Sequence, residues 1–208
     1  SAELLDSLND PKVCKRYGYT PETIVGMFIP NSYDLYWDIS VSDFLKRMHK
    51  ESKRFWDDDR AEKAQEIGLS QNEVITLASI VDEETNDEGE MPKVAGMYMN
   101  RLHDGMRLQA DPTVKFATGK FTAKRIYKDM LSVDSPYNTY RHKGLPPGPI
   151  RIPSVAAIDA VLDYSHHDYM YMCAKPDFSG SHNFAKTYEE HQRNAKDYAA
   201  ALDKRGIQ

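Results

Sequence analysis

Two strongly signalled helices between residues 70 and 105 constrain the fold of this 208-residue chain more than any other feature. The segment SQNE at 70–73 has the pattern of a capping box, in which a serine hydroxyl and a glutamate carboxylate satisfy free backbone N–H groups. The apolar run VITLASIV follows directly, so a helix is predicted to begin there. MPKVAGMYMNRLHDG predicts a second helix, because Pro92 stands near its start and Gly105 just past its end. The short linker NDEGE joins them into a helical hairpin.

Periodicity elsewhere predicts further helices and a strand. Helical spacing of apolar residues occurs in VSDFLKRMHKESKRFWDD (41–58), SVAAIDAVLDY (154–164) and TYEEHQRNAKDYAAAL (187–202), whereas DYMYMCAK (168–175) is typical of a strand. Thr20 before Pro21 resembles an N-cap followed by proline at the first helical position. MFIPNSYDLYWD (27–38) indicates a loop and a short strand. This mixture of elements predicts an α+β fold.

The segment from 106 to 153 differs in character from the rest of the chain. It is rich in Pro, Gly, Asn and Tyr, which is typical of turns and loops and not of regular structure. A loop this long in a compact domain is more often functional than idle. We therefore expect polar side chains of this segment to contribute to a binding site.

Charge and motif content exclude several classes of function. Lys and Arg number 27 against 32 Asp and Glu, giving a net charge of −5, so the clustered positive charge that binds nucleic acid is not expected. The cysteines, Cys14 and Cys173, form no metal-binding pattern, and their redox state is left open. The histidines likewise lack metal-ligand spacing. With no P-loop, Rossmann or G-x-S-x-G motif, we expect neither a metal nor a cofactor.

Acidic residues crowd the end of the first hairpin helix, in LASIVDEETNDEGE (77–90). On a helical wheel Glu84 falls over the apolar stripe, whereas Asp82 lies at its opposite flank and Glu83 points away. Burial and the negative end of the helix would both raise the pKa of Glu84, and a protonated carboxyl is what a general acid requires. The pattern alone favours a plainer role in capping or solvation. Asp111, in LQADPTV, is either a second carboxylate for glycosidic chemistry or a turn residue.

Six sequence blocks carry a family resemblance. They are LASIVDEET (77–85), PKVAGMYMNRL (92–102), GMRLQADPTV (105–114), SPYNTY (135–140), GLPPGPI (144–150) and HNFAKTYEEH (182–191). In this order they resemble the MltG (YceG-like) family of endolytic murein transglycosylases. One departure is Asp82, where the family more often has Glu. The resemblance implies a single α+β catalytic domain over 27–208, preceded by an N-terminal helical lead-in at 1–26.

The resemblance also assigns roles to individual residues. Glu84, followed by Thr85, is the expected catalytic acid and base at the end of the hairpin helix, with Asp82 as the fallback. The Pro/Gly/Tyr-rich loop would line a groove packed with a small sheet, and GLPPGPI would form a rigid wall. Expected substrate-binding residues are Gln109, Asp111, Thr113, Tyr137, Asn138 and Tyr140. Expected supporting residues are Thr85, Asn100 and Arg101, and His182 and Glu190 are expected to pack or to border the groove.

The implied reaction is non-hydrolytic cleavage of the β-1,4 bond between N-acetylmuramic acid and N-acetylglucosamine within glycan strands, which would terminate or trim nascent strands. The expected partners are peptidoglycan strands, with peptidoglycan synthases as further candidates, and the default oligomeric state is a monomer. The family implies a membrane anchor outside this chain and a location at the periplasmic face of the bacterial inner membrane. Two alternatives stay open: a muramidase-like hydrolase using Asp111 or Asp82, and a non-catalytic peptidoglycan-binding scaffold.

Overall fold

Helices form most of the computed structural model, which describes residues 2–123 and 126–206. In chain order the elements are α1 (Ala2–Asn9), α2 (Pro11–Arg16), a 3₁₀ helix (Ile24–Met27), α3 (Val41–Phe55), α4 (Asp58–Glu66), α5 (Gln71–Glu84), α6 (Met91–His103), α7 (Asp111–Thr118), α8 (Lys128–Leu131), α9 (Val155–Leu162), strands β1 (Tyr171–Ala174) and β2 (His182–Ala185), and α10 (Tyr188–Lys204). The architecture is mixed helical with a small antiparallel sheet, which agrees with the α+β class expected from the sequence.

Helix α5 is the centre of the molecule. The predicted capping box is confirmed: the Ser70 hydroxyl accepts from the Glu73 N–H, and the Glu73 carboxylate accepts from the Ser70 N–H at 2.8 Å. Every residue from Val74 to Asp82 is buried, because α6, α9, α7, α4 and the 3₁₀ helix surround α5. A helix enclosed in this way can be apolar on all faces, so the buried surface is wider than the single stripe of the helical wheel.

The predicted second helix is confirmed as α6, with Pro92 in its first turn and Gly105 following it in a left-handed conformation at φ 60°. Gly96 lets α6 approach the chain after α9 closely. A Cβ atom at this position would lie 2.2 Å from the Ser165 carbonyl oxygen and 2.9 Å from His167 Nε2. Since α5, α6 and α9 share one core, this close contact fixes the hairpin against the rest of the molecule.

Strands β1 and β2 pair antiparallel, with Tyr171 opposite Ala185 and Ala174 opposite His182. Strand β1 packs against α6 and α10, and β2 also packs against α10. The strand predicted within 168–175 is confirmed as β1. Its partner β2 lies in HNFAKTYEEH, a segment for which no strand was predicted.

The N-terminal elements pack around a second cluster formed by Cys14, Ile24, Met27, Leu45 and Met48. The predicted helix beginning at Pro21 is wrong: a turn precedes a 3₁₀ helix that begins at Ile24, and its N-cap residue Thr23 makes no side-chain capping bond. The Thr23 hydroxyl instead accepts from the Thr20 N–H at 2.9 Å, within the preceding turn. The strand predicted within 27–38 is also wrong. Met27 and Ile29 are buried, but the residues from 30 to 38 are almost all exposed, with Trp37 fully so, and this part of the segment has no apolar face to bury in a sheet.

Regular structure also occurs in the region that we expected to be loop throughout. Helix α7 begins at Asp111 with Pro112 in its first turn, and it ends where Gly119 takes a left-handed conformation at φ 66°. This is the same proline and glycine asymmetry that predicted α6. Within the described residues, no helix is long and apolar enough to cross a bilayer.

Candidate active site

Glu84, the last residue of α5, lies in a cleft between the segment preceding α7 and the β1–β2 sheet. The cleft has a volume of about 400 Å³. It is lined by Glu84, Met97, Tyr98, Arg101, Gln109, Asp111, Tyr140, Tyr171, Met172, Ala174, His182, Tyr188 and His191. The site therefore draws on α5, α6, α10, the sheet and the polar segment around α7.

The Glu84 carboxyl is held from one side by α6. The buried Tyr98 hydroxyl donates a hydrogen bond to Glu84 Oε1 at 2.6 Å. Burial raises the pKa of Glu84 to about 7. The Tyr98 hydrogen bond, the charge of Arg101 and the protonated form of His182 oppose this rise, whereas the charge of Asp111 adds to it. A carboxyl with this pKa exists in both protonation states near neutral pH, as a group that acts as acid and then as base requires.

The two neighbouring acids are engaged elsewhere. Asp82 is buried, and it accepts hydrogen bonds from the Ser154 hydroxyl at 2.7 Å and from the Ser154 N–H at 3.2 Å. Glu83 is exposed and forms an ion pair with Arg151 at 2.9 Å. Asp82 thus joins the end of α5 to the start of α9. Of these three carboxylates only Glu84 lines the cleft.

Three of the expected substrate-binding residues line the cleft together. The Tyr140 hydroxyl donates to Asp111 Oδ1 at 2.5 Å, and burial together with this carboxylate raises the pKa of Tyr140 beyond its ordinary range. Gln109 adopts a left-handed backbone at φ 51°. Such a conformation is uncommon for residues other than glycine and is found preferentially at functional sites. It places the Gln109 side chain on the cleft wall.

The other three do not line the cleft. Thr113 is fully buried and shares a hydrogen bond with the Thr139 hydroxyl at 2.8 Å. Asn138 is also fully buried; it donates to the carbonyls of Leu131 and Val133 and accepts from the Tyr140 N–H. Tyr137 packs against Phe116 with ring centroids 4.7 Å apart. These residues hold the segment that carries Tyr140.

The supporting residues have distinct surroundings. Thr85 ends α5, and its hydroxyl accepts from the Asp87 N–H at 3.1 Å in the following turn. Asn100 donates to the carbonyls of His167 and Tyr169, away from the cleft. Arg101 is buried, donates to the carbonyls of Met170 and Leu108, and lines the cleft floor. Arg101 therefore ties the sheet and the α6–α7 connection together beside Glu84.

The remaining predicted segments lie away from Glu84. In GLPPGPI the N–H of Ile150 donates to Ser79 on α5 at 3.0 Å, and Gly148 lies against the Glu22 backbone. No residue of this segment is part of the cleft lining. Glu190 completes the capping box of α10 with Thr187. Across residues 2–123 and 126–206, no group of His, Cys, Asp and Glu is arranged to hold a metal ion.

The sequence profile of the YceG-like family matches residues 2–197, which is nearly the whole chain. This chain belongs to the YceG-like family. The chain is 35% identical over 168 residues to a Bacillus subtilis protein named endolytic murein transglycosylase. It is 33% identical over 134 residues to a Streptococcus pneumoniae protein of the same name.

The YceG-like chain corresponds to part of these relatives. The Bacillus match covers 81% of this chain and 46% of the relative, so the chain spans about half the length of that protein. The Streptococcus match covers 62% of this chain and 24% of the relative. A crystal structure of a YceG-like protein from Listeria monocytogenes superposes with a TM-score of 0.78 at 31% identity, covering 92% of this chain and 66% of that one.

Sequence reasoning missed several cleft residues of this YceG-like chain. Tyr98 belongs to the apolar face of α6, and nothing in its spacing distinguishes it from a core residue. His182 was expected to pack or to border the groove, and it lines the cleft. An aromatic wall of Tyr171, Tyr188 and His191 completes the opposite side, with the rings of Tyr171 and His191 stacked at 5.4 Å. This wall needs the strand and α10 to come together, which sequence spacing does not reveal.

Proposed function

We propose that this chain is the catalytic part of an endolytic murein transglycosylase that cleaves the β-1,4 bond between N-acetylmuramic acid and N-acetylglucosamine. The observation that carries the proposal is the carboxyl of Glu84 at the end of α5 in a saccharide-sized cleft, held by the Tyr98 hydroxyl and with its pKa raised to about 7. The names of the Bacillus and Streptococcus relatives supply the substrate class.

The first step uses the protonated form of Glu84. Its carboxyl gives a proton to the glycosidic oxygen as the bond from that oxygen to C1 of the muramyl sugar breaks. Burial keeps the proton on Glu84 near neutral pH, because desolvation disfavours the carboxylate. The Tyr98 hydroxyl donates to Oε1 and stabilises the carboxylate that the step leaves behind.

The second step uses that carboxylate. Glu84 takes the proton of the muramyl C6 hydroxyl while O6 forms a bond to C1, which gives a 1,6-anhydro end. Atoms balance without water, and Glu84 returns to its protonated state. One carboxyl can serve both steps, because its state after the first is the state that the second requires.

Gln109, Asp111 and Tyr140 are proposed to bind the saccharide from one side of the cleft. Their amide, carboxylate and phenol groups supply both donors and acceptors for sugar hydroxyls and N-acetyl groups. Tyr171 and Tyr188 face them, and their rings suit stacking against a sugar. Thr113, Tyr137 and Asn138 are proposed to position this wall and not to contact substrate.

The wider context is proposed from the family. Residues 27–208 are taken as the catalytic domain and 1–26 as its helical lead-in, acting as a monomer. We place the protein in the bacterial cell envelope at the periplasmic face of the inner membrane, held by an anchor outside this chain. Its activity on nascent strands, beside peptidoglycan synthases, would set strand length.

Product masses from purified peptidoglycan test the proposal. The wild-type chain should release fragments with 1,6-anhydro ends, and Glu84→Gln should release none, because the amide cannot donate the proton. Glu83→Gln is the matched control, since Glu83 is the exposed neighbour on the same helix, and it should retain wild-type products. Reducing ends from the wild type would indicate the hydrolase with Asp111 as its second carboxylate. Absence of any cleavage would favour the scaffold.

A further inference from the structure

Glu90 and His182 form a close pair beside Glu84 that the proposed mechanism does not use. Glu90 precedes α6, and His182 begins β2. The His182 Nδ1 lies 2.8 Å from Glu90 Oε2, and the His182 N–H donates to Glu90 Oε1, also at 2.8 Å. Both side chains are largely buried, at 13% and 10% exposure. A single carboxylate therefore fixes both the backbone and the ring of His182.

This pairing determines which ring nitrogen carries the proton. An ionised carboxylate can only accept hydrogen bonds, so Nδ1 is the donor to Glu90. In the neutral ring Nε2 then has a free lone pair and is an acceptor. Histidines at functional sites are often oriented in this way, by a carboxylate or carbonyl that accepts a hydrogen bond from one ring nitrogen.

The His182 side chain reaches the cleft. It is part of the cleft lining together with Glu84. Within the described residues the buried side-chain nitrogens that have no partner are those of His49 and His191. His182 Nε2 also has no hydrogen-bond partner among the described residues, but it is not one of these buried nitrogens. Solvent or a ligand can therefore reach it.

We propose that His182 is a substrate-binding residue whose Nε2 accepts a hydrogen bond from a saccharide hydroxyl, and that Glu90 is the positioning residue that fixes its tautomer. This inference rests on the proposed function, because it takes the ligand to be a glycan strand. His182 would then supply a polar contact to the saccharide on the sheet side of the cleft, next to the aromatic wall.

Two substitutions separate substrate binding from a purely structural link between β2 and α6. In His182→Asn the amide nitrogen takes the place of Nδ1 and still donates to Glu90, but no atom occupies the Nε2 position. In His182→Gln the amide reaches the Nε2 position but no longer donates to Glu90. Both are made in the Glu84→Gln background, so that soluble, uncrosslinked glycan strands bind without being cleaved.

His182→Asn should weaken glycan binding by about 5- to 10-fold, the value of one hydrogen bond, with an unchanged melting temperature. His182→Gln should bind more tightly than His182→Asn although it melts at a lower temperature. His142→Asn, at an exposed site, is the control and should change neither quantity. Equal glycan affinity for His182→Asn and its parent would overturn the proposal, and so would tighter binding by His182→Asn than by His182→Gln.

A second measurement applies if the substituted proteins do not fold. Nitrogen NMR of the ring resonances in the Glu84→Gln chain should show His182 Nε2 shifting on addition of glycan strands, with His142 unmoved. An unshifted Nε2 resonance under saturating glycan would also overturn the proposal. These binding data are independent of cleavage, so a wild-type chain that makes no anhydro ends would refute the proposed reaction without deciding the role of His182.

Discussion

The carboxyl of Glu84 lies among neighbours that move its pKa in opposite directions. Burial and the charge of Asp111 raise it, whereas the Tyr98 hydrogen bond, the charge of Arg101 and the protonated form of His182 lower it. A pKa of about 7 would let Glu84 donate and then accept a proton, as the proposed reaction requires. At the residue scale, substitution of one neighbour at a time should shift the pKa of Glu84 in a direction that depends on the neighbour removed.

Since the first step needs protonated Glu84, kcat/KM for anhydro-product formation should fall as the pH rises through about 7. Tyr98→Phe removes a donor that stabilises the carboxylate, so the pKa of Glu84 rises and the alkaline limb moves to higher pH. Asp111→Asn removes a negative neighbour, so the limb moves to lower pH. Initial rates of product formation across the pH range measure both shifts.

Glu83→Gln is the control for this pair and should leave the alkaline limb in place. A shift of the alkaline limb in the same direction in Tyr98→Phe and Asp111→Asn would contradict this explanation of the pKa of Glu84. A general loss of structure would not produce the opposite shifts that are expected. An alkaline limb that is absent from the wild-type profile would remove Glu84 as the titrating acid.

At this scale the sequence indicated a carboxylate that lines the cleft, but not its surroundings. Helical phase separated Glu84 from Glu83, and the structure shows that difference as a cleft position against an exposed ion pair. Tyr98 could not be identified in advance, because a tyrosine on the buried face of a helix looks like any core residue. Its hydroxyl acquires a partner only when α6 packs beside the end of α5.

At the scale of elements, Asn138 fixes the segment after α8 and thereby positions Tyr140 in the cleft lining. Asn138→Ala would leave the carbonyls of Leu131 and Val133 without their side-chain donor and the Tyr140 N–H without its acceptor. Because these groups are buried, the free energy of unfolding should fall by about 1–3 kcal/mol. Urea denaturation measures this loss.

Displacement of Tyr140 should lower the kcat/KM of Asn138→Ala as well. Lys143→Ala, at an exposed site in the same segment, should stay within about 0.5 kcal/mol of the wild type. An Asn138→Ala protein with wild-type stability and activity would show that the segment does not depend on this amide.

Elements with local signals were predictable, and those that depend on distant pairing were not. The capping box at Ser70 and the Pro92 and Gly105 pair located α5 and α6 correctly. Helix α7 had the same signals in Pro112 and Gly119, but the surrounding turn residues obscured them. Strand β2 and the position of His182 depend on pairing with β1, which no local pattern encodes.

At the scale of the whole molecule, a buried acid should reduce stability. Glu84 has a native pKa of about 7 against an ordinary 4.5, so the native state binds more protons than the unfolded state between these values. Stability therefore decreases as the pH rises across this window. Glu84→Gln removes the penalty and should be more stable than the wild type by about 1–3 kcal/mol above pH 7, on the scale of about 1.4 kcal/mol per pKa unit.

Urea unfolding at several pH values tests this expectation without any substrate. The stability difference between the variant and the wild type should become small below pH 4.5, where Glu84 is protonated in both the native and the unfolded states. A difference that does not vary with pH would mean that the Glu84 carboxyl is not desolvated in the native molecule.

The central claim is that the substrate, not water, supplies the nucleophile after Glu84 donates its proton. Digestion of glycan strands by the wild-type chain in water enriched in heavy oxygen, followed by mass spectrometry of the products, tests this most directly. The expected products have 1,6-anhydro ends, lighter than reducing ends by one water, and contain no heavy oxygen. Incorporation of one heavy oxygen atom at each new end would contradict the account and identify a hydrolase.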